Sequence, residues 1–316
     1  LRRSQGHQMK FMQLLLAVCL VVQAVALSGR GAAAGDRVEV VATFSILADM
    51  AARVGGERVR VSSLVGPGSD AHVFQATPGD AVTIKRAALV VENGLGFEVW
   101  LDRLIASSGY DGPRVVASEG IKPAGRSDGH GHDHAHESAD PHAWQSLANA
   151  TVYVDNIARG LCSVDAEGCE IYEANATKYA AQLTALDKEI EARFAALPIN
   201  ERKLITSHSA FGYFAERYAV EIFAPGGVST EQEAAALEVA ALIRQIRKND
   251  IKVLFVENIS DPRLIEQIAR ETGLKPAGRL YSGALSKAGG KADTYLAMMR
   301  HNAFTIANAL EAASSK

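Results

Sequence analysis

Short apolar runs alternate along this chain with segments whose apolar positions step by three and four. Residues 38–43 (Val-Glu-Val-Val-Ala-Thr) read as a strand, and Ile46, Leu47, Met50 and Val54 then follow helical spacing up to the stop at Gly55-Gly56. A second strand is predicted over 59–65, closed by Gly66-Pro67-Gly68. Thr77-Pro78 opens a helix, with Thr as N-cap and Pro in the first turn. Strand 88–92, helix 97–106 and strand 114–117 complete the first half. The second half repeats the scheme: strand 203–206, helix 210–218, strand 220–223, helix 231–249, strand 253–257 and helix 262–272. Strands that alternate with helices pair in parallel through crossover connections, so the pattern predicts two α/β lobes with mainly parallel sheets.

Residues 170–197 hold no Gly or Pro before the chain reaches Pro198, and Leu183, Leu186, Ile190, Phe194 and Leu197 step by three and four. That is one helix of about 28 residues, roughly 40 Å long. It is too long to be hidden in either lobe, so it is expected to run along both as a rigid link. Residues 124–140 differ in kind. They carry His130, His132, His134 and His136 among Gly and Asp with no periodic apolar residues, a composition suited to a surface loop that collects metal.

Residues 11–27 are apolar apart from Gln13 and Gln23, follow Arg2, Arg3 and Lys10, and lead to Gly31-Ala32-Ala33-Ala34. This reads as a secretory signal cleaved after Ala34, with a core too short to span a bilayer. Met9 offers a start that would make residues 1–8 an upstream extension. Cys19 as a lipid anchor is disfavoured by the bulky Val18 before it. The expected organisation is signal 1–34, N-terminal lobe 35–168 including the His-rich loop, linking helix 169–198 and C-terminal lobe 199–316. With 48% hydrophobic and 22% charged residues, the 316-residue chain has ordinary globular composition. Loss of the signal takes four basic residues and no acid, moving the net charge from −3 to −7, which argues against a nucleic-acid partner. Cys162 and Cys169 remain as a pair in an oxidising compartment and are expected to form a disulfide. Seven residues of continuous helix would hold their Cα atoms about 10 Å apart, so a turn is predicted within 163–168.

Three phrases end in or enclose a histidine among turn-forming residues: Ser69-Asp70-Ala71-His72, Ala139-Asp140-Pro141-His142-Ala143-Trp144 and Thr206-Ser207-His208-Ser209. His72 and His208 each follow a strand, where ligands of open α/β sheets sit. Imidazoles drawn from distant segments suit a transition metal, zinc above all, in an interlobe cleft. Asp70, Asp140 and Glu257 are candidates to orient the rings, Trp144 could wall off water, and metal affinity is expected to fall below about pH 6.5 as the imidazoles protonate. Three histidines with an open position also describe a secreted zinc hydrolase or hydratase. No His-Glu-x-x-His helix or paired general base accompanies them, so no catalytic residue is assigned and no enzyme is expected.

These phrases, with Phe74-Gln75-Ala76-Thr77-Pro78-Gly79-Asp80, residues 93–101, residues 207–214 and residues 257–273, resemble the zinc and manganese solute-binding proteins of bacterial ABC importers across essentially the whole mature chain. The resemblance implies a periplasmic protein that captures Zn2+ with high affinity through His72, His142 and His208 and delivers it to an inner-membrane permease. A periplasmic zinc chaperone is a candidate donor, and a monomer is expected. Manganese members resemble this pattern with a carboxylate at the place of His208, so the third imidazole favours zinc; a manganese- or iron-binding importer component is the alternative. The family's fourth ligand, an Asp, aligns with Gly283 in Leu280-Tyr281-Ser282-Gly283, which has no side chain to coordinate. The chain is either a ligand-removed variant, or water or a loop residue such as His132 or His134 closes the tetrahedron; Asp293 is a further substitute.

Overall fold

The computed structural model describes residues 37–124, 139–231 and 235–315. The leader 1–34 and the four clustered histidines lie outside them. Two four-stranded sheets carry the described chain, and every strand pair is parallel. The first contains β1 (Val38–Phe44), β2 (Val59–Val65), β3 (Leu89–Glu92) and β4 (Arg114–Val116), in the order β2-β1-β3-β4. The second contains β5 (Lys203–Ile205), β6 (Glu221–Phe223), β7 (Val253–Glu257) and β8 (Gly278–Leu280), in the matching order β6-β5-β7-β8. In each sheet the chain moves to one side of its first strand and then crosses to the other. This reversal opens a crevice beyond the carboxyl ends of the central strands.

The helices are α1 (Ser45–Gly55), α2 (Pro78–Lys85), α3 (Leu101–Ser108), α4 (Leu147–Val164), α5 (Cys169–Ala195), α6 (Gly212–Tyr218), α7 (Ala236–Lys248), α8 (Pro262–Thr272) and α9 (Tyr295–Ser314). Helix α2 begins at the predicted cap: the Thr77 hydroxyl accepts the Asp80 N–H, while the Asp80 carboxylate accepts the Thr77 N–H at 2.7 Å. Helix α3 starts later than the spacing suggests. Gly94, Leu95 and Gly96 all have positive φ, and the Glu98 carboxylate takes the N–H groups of Asn93 and Gly94, so the chain curls back before a helix can form. Helix α7 starts at Ala236 instead of residue 231, where the Glu238 carboxylate turns back to the Ala235 N–H at 2.9 Å.

The 27 residues of α5 form the predicted link. Tyr172, Tyr179, Leu183, Leu186, Ile190 and Phe194 bury one face against α1 and α4 at one end and against α6 and α9 toward the other. Polar contacts fasten it on both sides. Asn175 donates to the Val54 carbonyl at 2.9 Å, and Asp187 receives Arg217 at 2.6 Å and the Tyr218 hydroxyl at 2.8 Å. One apolar core runs from the first sheet through α4, α5 and α9 to residues Leu204, Val253 and Phe255 of the second, and a smaller one lies under α7 and α8.

Cys162 and Cys169 are joined with Cα atoms 4.6 Å apart. Helix α4 ends at Val164, and Asp165 turns the chain while its carboxylate binds Arg58 through two bonds of 2.8 Å. The Arg58 guanidinium, helped by the Tyr172 hydroxyl, holds the Asp165 carboxyl down to about 2. Replacing both cysteines by serine is expected to lower unfolding free energy by about 2 kcal/mol, from the entropy of closing so short a loop. Urea unfolding measures it, and an unchanged midpoint would mean that the Arg58–Asp165 pair fixes this turn unaided.

Candidate metal centre

The loop after β2 carries His72. Its Gly68 N–H donates to the Leu285 carbonyl of the second lobe at 2.9 Å, and Asp70 folds back so that its Oδ1 accepts the His72 N–H at 2.9 Å. Trp100 Nε1 holds the Ala71 carbonyl at 2.8 Å, and the Phe97 ring stands edge-on to the His72 ring with centroids 4.6 Å apart. The same Asp-x-His turn recurs at the second histidine. Asp140 Oδ1 accepts the His142 N–H at 2.9 Å and lies 2.8 Å from His142 Nδ1, so the one carboxylate oxygen sets both backbone and ring. His208 follows β5. Glu257, the last residue of β7, accepts the N–H groups of Ser207 and His208 at 2.7 and 2.9 Å on Oε1, and its Oε2 lies 2.7 Å from His208 Nδ1.

Nδ1 of His142 thus bonds to a carboxylate, and Nδ1 of His208 lies against one at ion-pair distance without hydrogen-bond geometry, so Nε2 of each ring is the atom free to take a metal. His72 Nε2 and His142 Nε2 are 3.2 Å apart, close to the ~3.3 Å separation of two nitrogens bound tetrahedrally to one zinc at 2.0–2.1 Å. One ligand atom from each of the three histidines lies within 4.8 Å of the others. Both ring nitrogens of His208 are buried without a hydrogen-bond partner among the described residues, a cost that a cation at Nε2 would reduce. All three rings are buried, and Trp144, fully enclosed, packs against His142 with centroids 5.1 Å apart.

The three imidazoles differ in proton affinity. Burial, and then the neighbouring His142 and His208, push His72 down to about 2. Burial also lowers His142 against the opposing pull of Asp140. For His208, burial is outweighed by the charge and hydrogen bonding of Glu257, with Asp70 and Asp140 beyond, so it is raised above the ordinary value; Glu257 is lowered in return. Of the three rings, His72 and His142 are thus the ones biased toward the neutral form, and His208 is the one that holds a proton more tightly than an ordinary imidazole. The expected common loss of affinity below pH 6.5 thus resolves into one dominant titration, starting above that value.

Of the proposed orienting carboxylates, Asp140 and Glu257 face imidazole nitrogens, whereas Asp70 does not. It shapes the His72 backbone turn and receives the Thr230 hydroxyl from the second lobe on Oδ2. Asp293 does not reach the centre, because its carboxylate accepts the Gly289 N–H at 2.9 Å. At Gly283 an added Cβ would lie 2.8 Å from Ile259 Cδ1 and nothing else within 3 Å, and its φ is not positive, so a side chain there needs only a small shift of Ile259.

Several supporting residues were not singled out by sequence. Asn93 donates from Nδ2 to the Pro141 carbonyl at 2.9 Å, fixing the residue before His142, and the Tyr213 hydroxyl donates to the Asp140 carbonyl at 2.9 Å. Gly212 is needed for space: a Cβ there would stand 2.5 Å from Asp140 Oδ2. All three lie in stretches that carry the family resemblance, which was the available signal. Trp144 Nε1 and Gln145 Nε2 both donate to the Ser282 carbonyl, at 2.9 and 2.8 Å, and so tie the His142 segment to the loop holding Gly283.

Two α/β lobes that enclose a buried cluster of imidazoles define a metal-binding solute receptor. Residues 40–309 match the family described as "ZnuA: Zinc-uptake complex component A periplasmic", and the chain belongs to that family. It is 34% identical over 269 residues to the iron-binding protein YfeA of Yersinia pestis, covering 85% of each chain. It is 30% identical to the metal ABC transporter substrate-binding lipoprotein SsaB of Streptococcus sanguinis, covering 94% of this chain and 96% of that one. Among solved structures, the periplasmic zinc binding protein TroA from Treponema pallidum superposes with a TM-score of 0.81 at 28% identity, over 87% of this chain and 99% of that one. The Mn-bound periplasmic metal binding protein from Candidatus Liberibacter asiaticus gives 0.76 at 28% identity, over 86% and 99%. The protein is accordingly an extracytoplasmic metal-binding component of an ABC importer that works with a membrane permease, not an enzyme. No described helix is long and apolar enough to cross a membrane.

Asp140→Asn and Glu257→Gln are each expected to weaken metal binding about 10- to 100-fold, since each releases a ring from its orientation. Chelator competition measures the loss, and wild-type affinity in both variants would show that the ring partners are dispensable.

Proposed function

We propose that the protein captures Zn2+ outside the cytoplasm through His72, His142 and His208 and hands it to its permease. The observation that carries this reading is the convergence of three buried imidazole nitrogens from both lobes, two of them 3.2 Å apart. Neutral nitrogen donors suit zinc better than manganese, which prefers oxygen. The family description also names zinc uptake. His130, His132, His134 and His136 act in this reading as an auxiliary collecting tract, the protein works as a monomer, and a periplasmic chaperone could load it.

A manganese- or iron-importing role is the second reading. It is favoured by the relatives named as iron-binding YfeA and iron ABC transporter lipoprotein MtsA, and by the Mn-bound structural neighbour. Elemental analysis of protein purified without added metal, followed by competition among Zn2+, Mn2+ and Fe2+, separates the two. Zinc is expected to be retained in stoichiometric amount and to displace the others, and His208→Asp is expected to narrow its lead over manganese. Preferential retention of manganese or iron by the unaltered chain would overturn the zinc assignment.

Because His208 is raised by its Glu257 partner while His72 and His142 are lowered, metal competes with one proton. Below the His208 value, affinity is expected to fall about tenfold per pH unit, beginning above the ordinary histidine value of about 6.5. Titration against a chelating dye between pH 8 and 6 measures the slope, and a flat profile would contradict the assignment of His208 as ligand.

A further inference from the structure

Two of the three imidazoles, His72 and His142, are backed by one loop, residues 93–100. Trp100 Nε1 donates to the Ala71 carbonyl at 2.8 Å, and Asn93 Nδ2 donates to the Pro141 carbonyl at 2.9 Å, so the residue before each histidine is tied to this loop. The Phe97 ring stands edge-on to both imidazoles, with centroids 4.6 Å from His72 and 6.0 Å from His142. The 3.2 Å separation of the two Nε2 atoms therefore depends on the loop's shape. That shape is not one the backbone adopts freely, because Gly94, Leu95 and Gly96 all have positive φ and Leu95 carries a side chain there.

One side chain closes the loop. Glu98 Oε1 accepts the Thr43 hydroxyl at 2.6 Å and the Asn93 N–H at 2.7 Å, while Oε2 accepts the Gly94 N–H at 3.2 Å. Thr43 is fully buried on β1, an inner strand of the first sheet, so the carboxylate fastens the loop to the rigid centre of its lobe. Asn93 is held on its other sides by the Tyr153 hydroxyl on Oδ1 at 2.5 Å and the Ser118 hydroxyl on its carbonyl at 2.6 Å. Burial nevertheless pushes the Glu98 carboxyl up to about 7. A folded value above the ordinary one means that the charge works against folding as pH rises toward 7, which is a poor device for stability alone.

We infer that Glu98 is a positioning residue of the metal centre: by closing residues 93–98 onto Thr43 it sets the separation of His72 and His142, while Glu257 sets His208 separately. It acts through Asn93, Phe97 and Trp100. The inference rests on the three-histidine reading above and deepens it by naming a residue that tunes two of the ligands.

The test uses the full chain with Zn2+ as the probe. Glu98→Gln keeps the size of the side chain but turns an amide donor toward the backbone N–H groups it must hold. It is expected to weaken Zn2+ affinity about tenfold in chelator competition. In 15N-histidine-labelled, zinc-loaded protein it should move the ring resonances of His72 and His142 and leave those of His208 in place. Asn93→Ala is expected to weaken binding as well, and the double variant no further, since both changes cut one path. Should Glu98→Gln fail to fold, Thr43→Val, which removes one bond to the carboxylate, is expected to move the same two rings, and unmoved resonances there would overturn the inference. Unaltered affinity in Glu98→Gln, an equal shift of all three rings, or additive losses with Asn93→Ala would each overturn it. So would weaker binding with unmoved rings and a lower urea midpoint of the metal-free protein, the signature of a merely structural role. Failure of the unaltered chain to hold Zn2+ through these rings would instead overturn the three-histidine reading.

Discussion

The centre depends on a carboxylate held against the outer nitrogen of an imidazole. Asp140 does this for His142 and Glu257 for His208, and in each case the same carboxylate also gathers backbone N–H groups beside the histidine. Ring and loop are therefore fixed by a single group. This removes the freedom of the ring to flip and aims its remaining nitrogen at the crevice. The burial that makes these contacts strong also makes an unpaired ring nitrogen costly.

The two lobes meet through more than the metal. The Ser282 carbonyl receives both Trp144 and Gln145, Gly68 bonds to the Leu285 carbonyl, and the Leu285 N–H returns to the Ser45 hydroxyl. With α5 fastened along both sides and one apolar core continuous between the sheets, large hinge motions would break many contacts together. Smaller changes confined to the loops, such as the Asp70–Thr230 contact between lobes, cost far less.

Much of this was legible in the chain. Period-two and period-three-to-four patterns placed most strands and helices, because half-buried elements must repeat their apolar positions at the pitch of the backbone. The turn at Asp165 followed from helix geometry and the Cys162–Cys169 spacing. Helices α4 and α9 and strand β8 were not read. In α4 the periodic positions Leu147, Ala150, Val154, Ile157 and Leu161 are present, but they begin directly after the loop that drew attention to its histidine. The three histidines were evident as residues, whereas which acid faced which ring was not. Asp70 and Asp140 stand in identical Asp-x-His spacing, yet only Asp140 reaches an imidazole nitrogen, a difference of side-chain direction that spacing cannot encode. The roles of Asn93 and Gly212 depend on contacts across 48 and 72 positions of chain, beyond any local pattern.

Helix α9 lies at the end of the chain, yet Met298, Met299, Ala303 and Ile306 belong to the core that backs the first sheet, and the Tyr295 N–H bonds to Asp49 on α1. The packing behind the first sheet is therefore completed by residues 246 positions farther along the chain than the Asp49 they bond. A lobe cut free at the linking helix would lack that backing, so the two halves form one cooperative folding unit.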